Sequence, residues 1–307
     1  MQIDTAAAID LSKEKKQNES SFSDQMKAYI KHPGSGVLAL LTLLGAVLTF
    51  ALLFFLIGYI LVKGVPYLST DLFSLTYNSE NLSLLPSLIN TFILTVVSLV
   101  IAAPLGIFAA IYLVEYAKKG SKLVNVIRIT AETLSGIPSI VYGFFGLVVI
   151  TPMIRNTFGG SGKNILTACI LLGIMILPTI ISVSESAIRA VPESYYEGAL
   201  ALGDTHERSV FKAVLPAAKS GILAAIILGI GRAIGETMAV IMIAGNHAVM
   251  PDSLLAGVRT LTSNIVLELG YATDLHREAL IATGVVLFVF ILIINLLFSV
   301  VKKKGAK

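Results

Sequence analysis

Long apolar runs separated by short polar segments dominate the chain. Five runs exceed the roughly 18 residues that an apolar helix needs to cross a membrane, and none of the five contains Asp, Glu, Lys or Arg. They are 37–62, 88–114, 133–154, 164–184 and 279–301. A sixth run, 221–246, is interrupted only by Arg232 and Glu236. The pattern predicts an all-α membrane protein with six transmembrane helices.

The same pattern excludes membrane β-strands. Barrel strands alternate apolar and polar residues over about ten positions, whereas the run 37–62 is apolar at nearly every position. This run begins after 36 mostly polar residues, and it is longer than the roughly 7–15 apolar residues of a signal peptide. We therefore expect it to remain in the protein as a membrane helix.

Composition leaves little room for a large soluble domain. Of the 307 residues, 55% are hydrophobic and 14% are charged, against about 25% charged in soluble domains. We expect a six-helix transmembrane domain over 37–302. The polar segment 1–36 is rich in Lys, Ser, Asp and Gln, which is typical of a disordered tail.

The distribution of Lys and Arg predicts the orientation of the helices. Seventeen of the 23 Lys and Arg residues fall in four segments that lie on one side of the membrane if the helices alternate in direction. These segments are 1–36, 115–132, 185–220 and 302–307. Because cytoplasmic loops carry an excess of Lys and Arg, both termini are expected in the cytoplasm. The net charge of +4 then reflects topology, and no nucleic-acid partner is expected.

The cytoplasmic loop 185–220 is the most polar internal segment, and its sequence predicts two short helices. Pro192 suits a first helical turn, and Gly203 suits the left-handed position that ends a helix. Asp204 is the expected cap of the second helix, with Glu207 as its capping-box partner. This helix is expected to end near Pro216. Apolar and Tyr side chains of the first helix either enter a groove in another protein or pack on the chain's own spans.

The loop resembles the coupling loop of ABC-importer permeases. "EGALALG" followed nine residues later by "AVLP" matches that family's motif at five positions, with Gly198 where Ala is usual and Ala213 where Ile is usual. The matching residues are Glu197, Ala199, Gly203, Leu215 and Pro216. The resemblance implies that the loop docks on an ATPase subunit and that Gly198 shares this role.

Four further stretches resemble the PstC-type permease subunits of phosphate importers: 85–117, 132–152, "GRAIGETMAV" (231–240) and 258–288. The resemblance covers about 85–302. It implies the type I ABC-importer permease fold, a multi-pass position in the cytoplasmic (inner) membrane, and transport without an ATPase of its own. The implied partners are a PstA-like permease, two ATP-binding subunits and an extracytoplasmic phosphate-binding protein, which the outer loop 247–278 would contact.

Arg232 and Glu236 are the candidate anion-path residues. A charge at mid-membrane costs roughly 2.5–3.5 kcal/mol on insertion scales, and a spacing of four would put both side chains on one helix face, where they partly neutralise each other. Arg also offers a fork of donors that fits phosphate oxygens. The alternative is an ion pair that holds two subunits together.

A second set of candidates lies at the start of the third run. Arg128 and Glu132 repeat the spacing of four, and Ser135, Ser139 and Tyr142 follow in "SGIPSIVYG". We expect Arg128, Glu132, Ser135 and Ser139 to line the path at its cytoplasmic end. An interfacial ion pair and ordinary helix packing are the alternatives.

Other chemistry is not indicated. "GGSGKN" (159–164) lacks the first Gly and the final Ser or Thr of a phosphate-binding loop. The four His residues lack metal-ligand spacing, and no catalytic set can be assembled, so neither a cofactor nor a metal is expected. Two rival functions remain open: a permease for another oxyanion, molybdate or sulfate, and an ion-coupled secondary carrier.

Overall fold

A computed structural model describes residues 33–78, 81–118 and 120–305. These residues form helices and turns, with one isolated backbone bridge between Gly245 and Val258. The helices are α1 (Pro33–Gly64), α2 (Leu85–Ile111), α3 (Lys122–Gly136), α4 (Ser139–Phe145), α5 (Thr151–Phe158), α6 (Ile165–Arg189), α7 (Glu193–Ala201), α8 (His206–Ser209), α9 (Leu215–Gly235), α10 (Met238–Ile243), α11 (Leu261–Leu269) and α12 (Asp274–Gly305).

Six helical segments of the described chain are long and apolar enough to cross a membrane, which confirms the six-helix prediction. They are Gly34–Tyr67, Leu85–Tyr116, Ser139–Phe158, Ile165–Arg189, His206–Gly235 and His276–Val300. The predicted tail, 1–36, lies outside the described residues except at its end, where α1 begins at Pro33.

The chain divides into two compact units, 1–59 and 60–307. In the first unit, the described part of α1 is a helix that is apolar on all sides, with large side chains such as Phe54 68% exposed. Two of its hydroxyls bond within the helix, since Thr42 and Thr49 each donate to a carbonyl four residues earlier. Such a surface suits hydrocarbon because its side chains are mostly apolar and these two hydroxyls find partners within the helix.

The core of the second unit forms where α6 packs between α2 and α9. Ile176 and Ile180 of α6 are completely buried there. A glycine of α2 permits the close approach, because a Cβ placed on Gly106 would lie 2.7 Å from Ile180 Cγ2. Small residues at such contacts let membrane helices approach closely.

Three spans contain a π turn, Tyr112–Tyr116, Gly146–Ile150 and Val210–Val214. The last two turns each end two residues before a proline, Pro152 and Pro216. A proline has no N–H and its ring displaces the carbonyl four residues earlier, so a wider turn at that point lets the helix continue. The spans that contain Pro152 and Pro216 therefore pass these prolines without breaking.

Two predicted spans have different boundaries in the structure. The predicted run 133–154 is divided at Ile137, which is extended (φ −73°, ψ 127°), as residues before proline tend to be. The predicted run 221–246 is wrong at both ends, because the helix begins at His206 and stops at Gly235.

The segment predicted as the outer loop is held by a partly buried polar network. Arg259 Nη1 donates to Glu268 Oε1 (2.7 Å) and Asn264 Oδ1 (3.1 Å), and its Nε donates to the carbonyl of Asn246 (3.1 Å). Asn90 of α2 donates to the carbonyls of Val249 and Arg259. These bonds join α2 to the segment before α11, and Arg259 joins that segment to α11.

The contact between Gly106 and Ile180 gives a prediction about stability. We expect Gly106→Ala to lower the free energy of unfolding by about 1–3 kcal/mol, because the added methyl overpacks a buried contact. Thermal unfolding of the purified chain in detergent measures this change. The matched control is Gly45→Ala in α1, where nothing lies within 4 Å of an added Cβ. Equal melting temperatures for both variants would contradict the packing argument.

Candidate functional site

The helix that carries Arg232 breaks immediately before Glu236. Glu236 is extended (φ −69°, ψ 127°), and its carboxylate Oε1 accepts hydrogen bonds from the backbone N–H of Thr237 (3.1 Å) and Ala239 (3.2 Å). Thr237 Oγ1 donates to the carbonyl of Gly235 (3.1 Å). Side chains that bond to the local backbone compete with helix formation, so the chain turns here and starts α10.

The predicted placement of Arg232 and Glu236 on one helix face is therefore wrong. The two residues do not share a helix, and the four salt bridges of the described residues include neither of them. Arg232 is half-buried in the last turn of α9, and its Nη1 donates to Thr179 Oγ1 of α6 (3.2 Å). A cation in the last turn of a helix and an anion at the start of the next are both favoured by the helix dipole.

A segment distant in sequence bonds to the backbone at the point where α9 ends. Thr262 of α11 donates from Oγ1 to the carbonyl of Glu236 (3.1 Å). Sequence reasoning missed Thr262 and Thr179, because a hydroxyl in an apolar helix carries no signal of its partner.

Arg128 has a different partner from the one predicted. Its Nε and Nη2 both donate to Glu185 Oε1 of α6, at 3.1 Å and 2.6 Å, whereas Glu132 is exposed and makes no ion pair with a described residue. Arg189, one turn beyond Glu185, bonds to the same oxygen. The spacing of Glu185 and Arg189 in "ESAIR" was the one available signal for this cluster.

Ser135 and Ser139 flank the interruption between α3 and α4. Ser135 is exposed and its hydroxyl donates to the carbonyl of Ala131 (3.0 Å). Ser139 is half-buried at the start of α4 and its side chain makes no hydrogen bond to a described residue. Across the same interruption, Tyr142 donates to the carbonyl of Leu134 (2.8 Å).

The predicted coupling residues lie on α7, in the turn after it, and in the helix that follows. Glu197 and Gly198 are exposed on α7, and Ala199 is half-buried. Gly203 has a φ of +90°, as its predicted left-handed position requires. The following cap is Thr205 instead of Asp204, since Thr205 Oγ1 accepts from the N–H of Arg208 while Asp204 forms an ion pair with the same residue.

The second predicted short helix does not end near Pro216. It runs on from His206 through the π turn to Gly235, so Leu215 and Pro216 lie inside one long helix. Tyr196 of α7 fixes the start of this helix, because its hydroxyl lies 2.7 Å from His206 Nδ1. The two helices are thus joined by a side-chain contact as well as by the turn at Gly203.

Comparison with known proteins places this geometry in a family. Residues 102–305 match the binding-protein-dependent transport system inner membrane component family. The chain is 39% identical over 245 residues to the probable ABC transporter permease protein YqgH of Bacillus subtilis, covering 78% of this chain and 79% of that protein. It is 34% identical to the phosphate transport system permease protein PstC of Mesorhizobium japonicum, covering 70% and 72%.

Solved structures share the fold at low sequence identity. A bacterial ABC transporter involved in the import of the acidic polysaccharide alginate has a TM-score of 0.64 at 15% identity, covering 91% of this chain and all of that one. The MetNI methionine ABC transporter has a TM-score of 0.54 at 20% identity, covering 72% and 94%. These likenesses confirm the ABC-importer permease fold. The chain is a multi-pass protein of the cytoplasmic membrane and belongs to the binding-protein-dependent transport system inner membrane component family.

Proposed function

We propose that this chain is the permease subunit of an ATP-driven importer that moves inorganic phosphate across the cytoplasmic membrane. The observation that carries the substrate is the similarity to PstC phosphate permeases over about two thirds or more of the chain, at 34% identity in Mesorhizobium japonicum and 35% in Haemophilus influenzae. The same similarity favours phosphate over molybdate or sulfate. An ion-coupled carrier is not favoured, because the fold is that of ABC importers.

Arg232 is the proposed anion-binding residue of the path. Its support is its donor capacity. Among the described residues only Thr179 bonds to it, through a neutral hydroxyl and one N–H group, and no described carboxylate pairs with it. A guanidinium presents five N–H donors in a fork that fits phosphate oxygens. Such a residue on a water-accessible path attracts an anion, whereas facing lipid it would be costly.

Glu236 is the proposed residue that distinguishes phosphate from sulfate. Its Oε1 is occupied by two backbone N–H groups, while Oε2 makes no hydrogen bond to a described residue. A free carboxylate oxygen accepts a hydrogen bond from protonated phosphate, and sulfate has no such proton to donate at neutral pH. Ser135 and Ser139 are the proposed lining near the interruption between α3 and α4, with Arg128 and Glu132 at the cytoplasmic entrance.

The excess of Lys and Arg supports a cytoplasmic position for both termini and for α7. We propose that α7 is where one of two ATP-binding subunits docks. Tyr196 packs on the chain's own helices, yet Leu202 is 90% exposed and Tyr195 is 53% exposed. A PstA-like permease and an extracytoplasmic phosphate-binding protein, the latter meeting segment 247–278, complete the proposed assembly.

Substrate competition tests the proposed function. In cells that depend on this chain for phosphate uptake, we expect excess unlabelled phosphate to suppress uptake of labelled phosphate, and equal sulfate or molybdate to leave it unchanged. Suppression by sulfate or molybdate would favour the rival oxyanion. The chain reconstituted alone should give no uptake, and ATP-independent uptake by it would indicate a secondary carrier.

Substitution of Arg232 tests the path. We expect Arg232→Gln to reduce phosphate uptake roughly tenfold or more, because a charge-assisted hydrogen bond to phosphate is lost, and Arg232→Lys to restore part of it. Arg155→Gln, at an exposed arginine without an ion pair to a described residue, is the control. Uptake is measured beside recovery of the assembled complex. Loss of the complex in Arg232→Gln would instead support a subunit-holding role.

Substitution of Gly203 tests coupling. A β-branched residue at φ +90° is strained, at a cost of roughly 1–3 kcal/mol, so Gly203→Val should shift α7 relative to the helix that starts at His206. We expect ATP hydrolysis by the complex to continue while uptake falls. Gly198→Ala, which restores the Ala that is usual in the motif and meets no described atom within 4 Å of the added Cβ, should keep both activities. Unchanged coupling in Gly203→Val would count against this role of α7.

A further inference from the structure

We propose that a cavity between the π turn and loop that follow α2, the start of α3 and the end of α6 binds an anion that carries a phosphate group. The cavity has a volume of about 270 Å³. Its polar lining comes from Lys118, Ser121, Asn125, Arg128 and Arg189, and none of its lining residues is acidic. Arg128 is also part of the proposed cytoplasmic entrance of the transport path, so the inference rests on the proposed function at that residue, whereas Arg232 is not among the lining residues.

Glu185 holds both arginines without filling the cavity. Its Oε1 accepts from Nε and Nη2 of Arg128 (3.1 and 2.6 Å), and it lies 3.1 Å from Nε and 3.0 Å from Nη2 of Arg189. Glu185 itself lines a neighbouring cavity, which shares the two arginines. The Nη1 groups of both arginines make no hydrogen bond to a described residue, so each guanidinium is fixed in place with donors to spare.

The remaining polar side chains of the lining also carry N–H or O–H donors that bond to no described acceptor. Lys118 and Asn125 are exposed, and neither side chain is bonded to any described residue. Ser121 precedes the first turn of α3, but its side chain does not cap the helix. The first N–H groups of a helix that lack a cap add partial positive charge, which reinforces the three cationic side chains.

A phosphate group is the anion that these donors fit. Arginine forks bind two phosphate oxygens at once, and lysine adds a point charge. The volume exceeds the roughly 30 Å³ share of one water molecule many times over, which leaves room for a tetrahedral anion. The source is either inorganic phosphate or the headgroup of an anionic phospholipid, since basic pockets between membrane helices bind such headgroups.

Two binding measurements on the full-length chain separate these sources. Binding of radiolabelled inorganic phosphate is measured in nanodiscs of phosphatidylcholine alone, and retention of phosphatidylglycerol is measured by native mass spectrometry after extraction from mixed bilayers. We expect Lys118→Gln to weaken one of these about tenfold, as loss of a hydrogen bond from a charged donor does. The control is Lys212→Gln, at an exposed lysine outside the cavity.

Loss of phosphate binding in Lys118→Gln would identify inorganic phosphate as the ligand. Loss of phosphatidylglycerol retention in the same variant would identify the lipid headgroup as the ligand. Phosphate bound at Arg232 would survive Lys118→Gln, so it cannot be mistaken for this site. Asn125→Ala is the second variant if Lys118→Gln does not elute as a folded chain from size exclusion. Wild-type chain that binds neither ligand, or cavity variants that bind both as the control does, would overturn the proposal.

Discussion

In the hydrocarbon of a bilayer there is no water to bond to the backbone, so every N–H and C=O must find its partner within the protein. A helix satisfies this constraint by itself, but a helix that stops inside the membrane domain must be completed by other groups. The stop at Gly235 is completed by the carboxylate of Glu236, the hydroxyl of Thr237 and the hydroxyl of Thr262. The polar residues of this region thus serve first as hydrogen-bond partners for backbone groups at the helix end.

The charges at this break follow from the same constraint. A helix end favours a cation by roughly 0.3–1 kcal/mol, and up to about 2 kcal/mol where partly buried, which is less than the roughly 2.5–3.5 kcal/mol that a charge costs at mid-membrane. The dipoles therefore offset only part of the cost for Arg232. The rest must be met by polar surroundings, of which Thr179 supplies one group. Within the described part of the chain, a guanidinium so placed keeps most of its donors unbonded.

The sequence predicted the six spans because length and apolarity alone distinguish a membrane helix. It also predicted the left-handed backbone of Gly203, since few other residues adopt that conformation. It did not predict the break at Glu236, because a spacing of four residues looks the same whether the second residue continues the helix or caps the next one. The partner of Arg128 was missed for another reason: Glu185 lies 57 residues away and is brought close only by packing of α3 on α6.

The π turn before Pro216 has a mechanical consequence. Because the helix passes this proline without interruption, His206 and Arg232 belong to one helix, and the 26 residue steps from one to the other span about 39 Å. A helix resists compression along its axis, so an axial displacement imposed where Tyr196 meets His206 is carried toward the end that holds Arg232. The contact at His206 and the guanidinium are then linked through a single helix.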